Sequence, residues 1–117
     1  MAYTLRIGEN APDFDLVGTD VDYYSLDSFE EYENLIIFFT CNHCPYAKAV
    51  WNRLIRDYQI IKKFNYELIA INPNINPNYP QDSPEKMKEL IKELKIPFEY
   101  LIDENQKIAK IFKATCT

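Results

Sequence analysis

Residues 34–64 constrain this chain more than any other stretch. An apolar run, Leu35-Ile36-Ile37-Phe38-Phe39, is long enough for a buried strand. It leads into Thr40-Cys41-Asn42-His43-Cys44-Pro45, and a helical pattern then continues to Phe64. The apolar run lacks polar alternation, the pattern of a parallel-sheet strand covered on both faces. From Pro45 onward, Ala47, Val50, Trp51, Leu54, Tyr58 and Ile61 recur at helical spacing and form a one-sided apolar stripe. Pro45 suits the first helical turn, where its missing N–H has no intrahelical partner to lose. The order places two cysteines where a parallel strand hands over to a helix N-terminus.

The remaining segments fit around this unit. Gly8 to Phe14 is turn-rich. Phe14 and Leu16 alternate with Asp13 and Asp15 as in an edge strand, Gly18-Thr19-Asp20 is a turn signal, and Val21 to Leu26 predicts the second strand of a β-hairpin. Asp27 or Ser28 is placed to cap a short helix through Tyr32. Tyr66-Glu67-Leu68-Ile69-Ala70-Ile71 predicts the next parallel strand, closing a right-handed βαβ unit. The Asn72–Gln81 loop, with three Pro and four Asn, cannot be regular. Asp82 or Ser83 caps a helix with Pro84 just inside and an apolar face of Met87, Leu90, Ile91 and Leu94. Pro97 ends it, Phe98–Ile102 is a third parallel-type strand, and Asp103 or Asn105 opens a last helix. The expected fold is α/β, in one domain spanning residues 1–117.

A chain of 117 residues can bury roughly two thirds of its unfolded surface. A net charge of −5 without clustered Lys and Arg argues against nucleic acid as a partner. No stretch nears the ~18 apolar residues of a membrane span, and Met1–Arg6 does not read as a signal peptide. The expectation is a cytoplasmic protein without a membrane partner. Three cysteines, two of them in Cys41-Asn42-His43-Cys44, do not make a disulfide framework; in the cytosol this spacing points to redox or metal chemistry. With only two glycines, no Gly-rich phosphate loop exists, and no cofactor is expected.

A thiolate is the reactive form of cysteine, and helix N–H groups or a nearby cation favour it. At a helix start, i,i+3 spacing suggests that the first sulfur sits at the exposed end and the second tucks into the first turn, within disulfide reach. Cys41 is then the attacking thiol, Cys44 the resolving one, and a protonated His43 a further stabiliser of the Cys41 thiolate. Asn42 is placed to hydrogen-bond either sulfur. Two alternatives stand beside this reading: a pair of buried, inert cysteines, or half of a zinc site. Zinc wants four ligands, and the other donors considered are His43, inside the loop, and Cys116. Cys116 itself is either a plain terminal residue or a third thiol near the pair.

These residues resemble the thioredoxin-like superfamily, and specifically its redoxin branch related to alkyl hydroperoxide reductase and thiol-specific antioxidant proteins. The resemblance rests on Gly8-x-x-Ala11-Pro12-Asp13-Phe14, on Phe38-Phe39-Thr40-Cys41-Asn42-His43-Cys44-Pro45-Tyr46, and on Tyr79-Pro80-x-Asp82-Ser83-Pro84-Glu85-Lys86-Met87. It implies a three-layer α/β/α sandwich with an N-terminal β-hairpin. It also implies a Cys41–Cys44 redox pair that exchanges disulfides with protein or small-molecule partners and draws electrons from thioredoxin or another dithiol.

There are departures from the family pattern. Thr40 stands where thioredoxin has Trp. The buried acid that serves thioredoxin as proton acceptor would fall at Leu35. The Thr-x-x-Cys spacing of peroxidatic redoxins is exceeded by one residue between Thr40 and Cys44. Ala114-Thr115-Cys116-Thr117 resembles the segment that leads into the cis-proline facing the active site, so the expected fold lacks the C-terminal strands and helix. The outer edge of the Leu35–Phe39 strand is then unpaired, and homodimerisation through that edge or an uncovered sheet face is expected. Three readings follow: a thiol–disulfide oxidoreductase, a thiol-dependent peroxide reductase, or a non-catalytic interaction or metal-bridged module.

Overall fold

The computed structural model describes residues 5–114, leaving aside the side chains of Tyr46 and Ala47; Cys116 lies outside the described residues. Five strands form one mixed sheet: β1 (Leu16–Gly18), β2 (Tyr23–Tyr24), β3 (Asn34–Phe39), β4 (Tyr66–Asn72) and β5 (Glu99–Ile102), in the spatial order β2-β1-β5-β4-β3. Strands β3, β4 and β5 run parallel, joined by the crossover helices α1 (Pro45–Ile61) and α2 (Pro84–Leu94). The β1–β2 hairpin adds antiparallel to β5. A short helix, α3 (Lys107–Ile111), follows β5.

Alternation along β4 explains the layers. Leu68 and Ala70 face one core with Trp51 and Tyr58 of α1, Met87 of α2, and Phe98 and Tyr100. Ile69 and Ile71 face the other, with Phe14, Leu16, Phe29, Leu101 and Ile108 of α3. Each fully buried side chain of this size contributes roughly 1.5–3 kcal/mol relative to exposure. The α/β/α sandwich expected from the sequence is present.

Coverage on both faces holds for β4, whose residues 68–72 are all buried. It does not hold for β3, where Ile36 is 37% exposed. β3 is an edge strand, and among the described residues no strand pairs its outer edge.

Local chemistry corrects several boundaries. The second hairpin strand shrinks to Tyr23–Tyr24 because the turn reaches Val21, which sits at φ 64° and donates its N–H to Gly18. The segment expected to be a short helix through Tyr32 is a 3-10 turn, Leu26–Phe29. It starts after Ser25, whose N–H donates to Ser28 Oγ at 3.0 Å. In α2 the cap is Ser83, whose Oγ accepts the Lys86 N–H at 3.2 Å. Asp103 does open the last helix, from a distance: Asn105 and Gln106 take left-handed φ values of 68° and 60°, and the Asp103 carboxylate reaches past them to accept the N–H groups of Ile108 and Ala109 at 3.0 and 2.8 Å.

That double cap is buried, so its loss cannot be made good by water. Asp103→Ala is expected to destabilise the fold by about 1–3 kcal/mol, read as a lower urea midpoint with an unchanged slope; an unchanged midpoint would contradict the capping role.

Candidate active site

The site is assembled where β3 ends. The Thr40 N–H still donates to Ile71 O at 2.9 Å, carrying the ladder one residue beyond the strand. Cys41 follows immediately. Cys44, with extended φ and ψ of −68° and 124°, is the N-cap of α1, and its N–H donates to Cys41 Sγ at 3.2 Å. The sulfur of Cys41 thus accepts an amide at a helix N-terminus, where peptide dipoles favour negative charge.

The burial of the pair reverses the expected order. Cys41 is 0% exposed, whereas Cys44 is only partly buried. The sheet ladder runs on to Thr40, so Cys41 directly continues the sheet end, whereas Cys44 is the N-cap of α1 at the rim.

Asn42 and His43 turn toward a residue far along the chain, Asp82. Asp82 is 0% exposed and lies at the end of a 3-10 turn, Pro80–Asp82. Its Oδ1 accepts the Asn42 N–H at 2.5 Å and the Asn72 side-chain amide at 3.0 Å, and its Oδ2 contacts His43 Nδ1. The His43 ring stacks on Tyr79, with centroids 4.8 Å apart and planes 7° from parallel. Asn42, expected to aim at a sulfur, receives the Tyr100 hydroxyl on its Oδ1 at 2.8 Å, and Asn72 donates to the same hydroxyl at 3.3 Å. Burial, then the negative charges of Asp82 and Cys41, push the Tyr100 phenol far above its ordinary range, so it stays a neutral donor.

Sulfur, imidazole nitrogen and carboxylate oxygen atoms of Cys41, His43 and Asp82 all lie within 4.8 Å of one another. These are donor types that bind borderline divalent cations. As arranged, both Asp82 oxygens are engaged by protein nitrogens, which makes the trio a hydrogen-bonded array. Beside it, between α1 and α2, a groove of about 480 Å³ is lined by Asn42, Lys48, Trp51, Gln81, Lys86 and Leu90 among others. Two buried polar atoms, Thr40 Oγ1 and Trp51 Nε1, find no partner among the described residues.

The structure therefore brings together Cys41, His43 and Cys44, all three singled out by sequence. It adds Asp82, Asn72, Tyr79 and Tyr100, which the sequence reading did not assign to the site. One signal was present: Ser83-Pro84 already supplies a cap and a first helical residue, leaving Asp82 without a helical task.

A parallel β-α-β unit whose first strand ends in Cys-x-x-Cys at a helix start, on a mixed sheet with helices on both faces, defines a thioredoxin-like α/β protein. The AhpC/TSA family profile matches residues 7–117, and the chain belongs to that family. An uncharacterized conserved protein from Geobacillus kaustophilus is 38% identical, with a TM-score of 0.90 over 96% of this chain and 60% of its own. A hypothetical protein from Sinorhizobium meliloti is 26% identical, with a TM-score of 0.92 over 97% of this chain and 62% of its own. A protein disulfide isomerase candidate from Bacteroides thetaiotaomicron is 25% identical, with a TM-score of 0.71 over 91% of this chain and 64% of its own. The chain thus spans less than two thirds of the length of these solved relatives. No curated protein matches it.

The Tyr100 hydroxyl is testable through stability. Removing it in Tyr100→Phe leaves Asn42 Oδ1 without its buried donor, at a cost of about 1–3 kcal/mol near neutral pH. In the wild type the folded phenol is held neutral while the unfolded one ionises near 10, so its stabilising contribution is complete below pH 10 and is lost as pH rises further. Urea titrations of the two proteins should therefore differ most at neutral pH and converge above pH ~10; a gap that widens there would contradict the burial argument.

Proposed function

We propose that this chain is a thiol–disulfide oxidoreductase in which Cys41 is the nucleophile, Cys44 resolves and His43 supports the Cys41 thiolate. The observation that carries the reading is the Cys44 N–H donated to Cys41 Sγ at 3.2 Å from the start of α1. A hydrogen bond to the sulfur favours the thiolate, the form that attacks disulfides. The Cys41 thiolate attacks one sulfur of a partner disulfide; that S–S bond breaks and the partner's other sulfur leaves as a thiolate. Cys44, on giving up its proton, attacks Cys41 Sγ and releases the second partner sulfur. Two electrons pass from the protein dithiol to the partner, and a dithiol donor such as thioredoxin restores the pair. The groove beside Asn42 offers mixed apolar and charged lining for the segment that flanks a partner disulfide.

A second reading, peroxide reduction, draws on one observation: Cys41 is wholly buried, a setting that favours small oxidants over bulky ones. There the thiolate takes one peroxide oxygen, water or an alcohol leaves, and Cys44 converts the sulfenic acid to a disulfide with loss of water. NADPH-coupled peroxide consumption separates the two. In either case we place the protein in the cytoplasm, with a second copy paired along the outer edge of β3. Light scattering is expected to show a dimer at high concentration, and a well-folded monomer there would remove that part of the reading.

Insulin-disulfide reduction by dithiothreitol should be accelerated by the wild type and not by Cys41→Ser. Cys44→Ser should accumulate a mixed disulfide through Cys41. Equal rates for wild type and Cys41→Ser would sink the assignment.

A further inference from the structure

Exchange by two cysteines and a histidine leaves Asp82 unexplained. A carboxylate with 0% exposure is costly to bury unless its oxygens are met by donors. Asp82 does not act as the N-cap of α2, because Ser83 does that. Its partners come from two other parts of the chain: Asn42 and His43 from the loop after β3, and Asn72 from the end of β4. Oδ1 takes two neutral amides and Oδ2 takes the imidazole. The ring is further limited by Tyr79 stacked on one face. Among the described residues, Cys41, Tyr79 and Tyr100 are titratable groups that face the pair, and Lys48 and Lys86 line the adjoining groove.

We infer that Asp82 is the positioning carboxylate of the dithiol: it holds Nδ1 of a His43 ring that has a nitrogen within 4.8 Å of Cys41 Sγ, so that the other ring nitrogen serves as proton acceptor for Cys41. The inference rests on the disulfide-exchange reading and deepens it. A neutral imidazole whose Nδ1–H is held by a carboxylate keeps Nε2 as its basic atom, and the carboxylate compensates the charge that appears when Nε2 is protonated. The Cys41 thiol passes its proton to Nε2, giving a thiolate and an imidazolium against Asp82. The thiolate forms a bond to a partner sulfur, the partner S–S bond breaks, and the departing sulfur, carrying the bonding pair, takes the proton from the imidazolium.

His43 is the only histidine of the chain, so one set of ring signals reports on it. Nitrogen-15 NMR of the reduced wild type should show the neutral ring protonated at Nδ1; a neutral ring protonated at Nε2 overturns the inference without any substitution. Iodoacetamide alkylation of Cys41 against pH, in a Cys44→Ser background, provides the functional arm. Asp82→Asn should move the alkylation midpoint upward and slow the reaction near neutrality about tenfold, the equivalent of about one pKa unit. His43→Gln should do the same, and the two changes together should do no more than either alone. An Asp82→Asn protein that keeps the wild-type melting curve and the wild-type alkylation profile overturns the inference, as does full additivity. If instead Cys41→Ser still reduces insulin, the exchange reading fails on its own, while the tautomer and alkylation results continue to report on Asp82.

Discussion

The parallel pairing of Asn34–Phe39 with Tyr66–Ile71 is the constraint on which the rest of the site depends. Its register runs on for one more bond, from Thr40 to Ile71, and so delivers Thr40 to the level of Asn72, with Cys41 one residue beyond. Parallel strands cannot be joined by a tight turn; they need a crossover, and α1 is that crossover. The same requirement that turns the chain away from the sheet after β3 therefore puts a helix N-terminus beside the cysteines. Reactive sulfur and helix dipole coincide because both are products of one β-α-β connection.

The end of the sheet would be a poor place for polar groups without a second arrangement. Asn42, Asn72, Asp82 and Tyr100 are all buried there and satisfy one another: the amide of Asn72 donates to both Asp82 and Tyr100, Tyr100 donates to Asn42, and Asn42 donates its N–H to Asp82. A network of this kind is tolerated only when every member is met, and it then holds its members in one geometry. The apolar cores on either side, with Trp51, Met87 and Tyr100 on one face and Ile69, Ile71 and Leu101 on the other, surround it with low-dielectric material. The array at the sheet end is rigid for the same reason that it is costly to break.

Much of the fold was legible in local patterns. Trp51, Leu54, Tyr58 and Ile61 share a helical stripe whatever they pack against, and the CxxC spacing fixes the two sulfurs at the head of that helix. The β4 run is apolar at every position from Leu68 to Ile71, and it is the strand buried on both faces. Patterns of this sort are properties of a few neighbouring residues. The limits appear where a neighbour in space decides. Leu35 to Phe39 reads as equally buried in sequence, yet its place at the sheet edge leaves Ile36 partly open. Val21 was expected in a strand, but the closing bonds of the hairpin turn hold it at a positive φ.

By itself, then, the sequence determined the order of elements, the amphipathic faces, and the placing of Cys41, His43 and Cys44 on one loop, because periodicity and i,i+3 spacing act over a single turn of chain. Only the tertiary structure decided which cysteine is covered and what His43 leans on. Cys41 is covered because it directly follows the last ladder bond of β3, and Asp82 reaches His43 across 39 positions of sequence because the β4–α2 connection folds back over the end of the sheet. A contact of that separation is set by strand order and crossover geometry, and no pattern of adjacent residues encodes it.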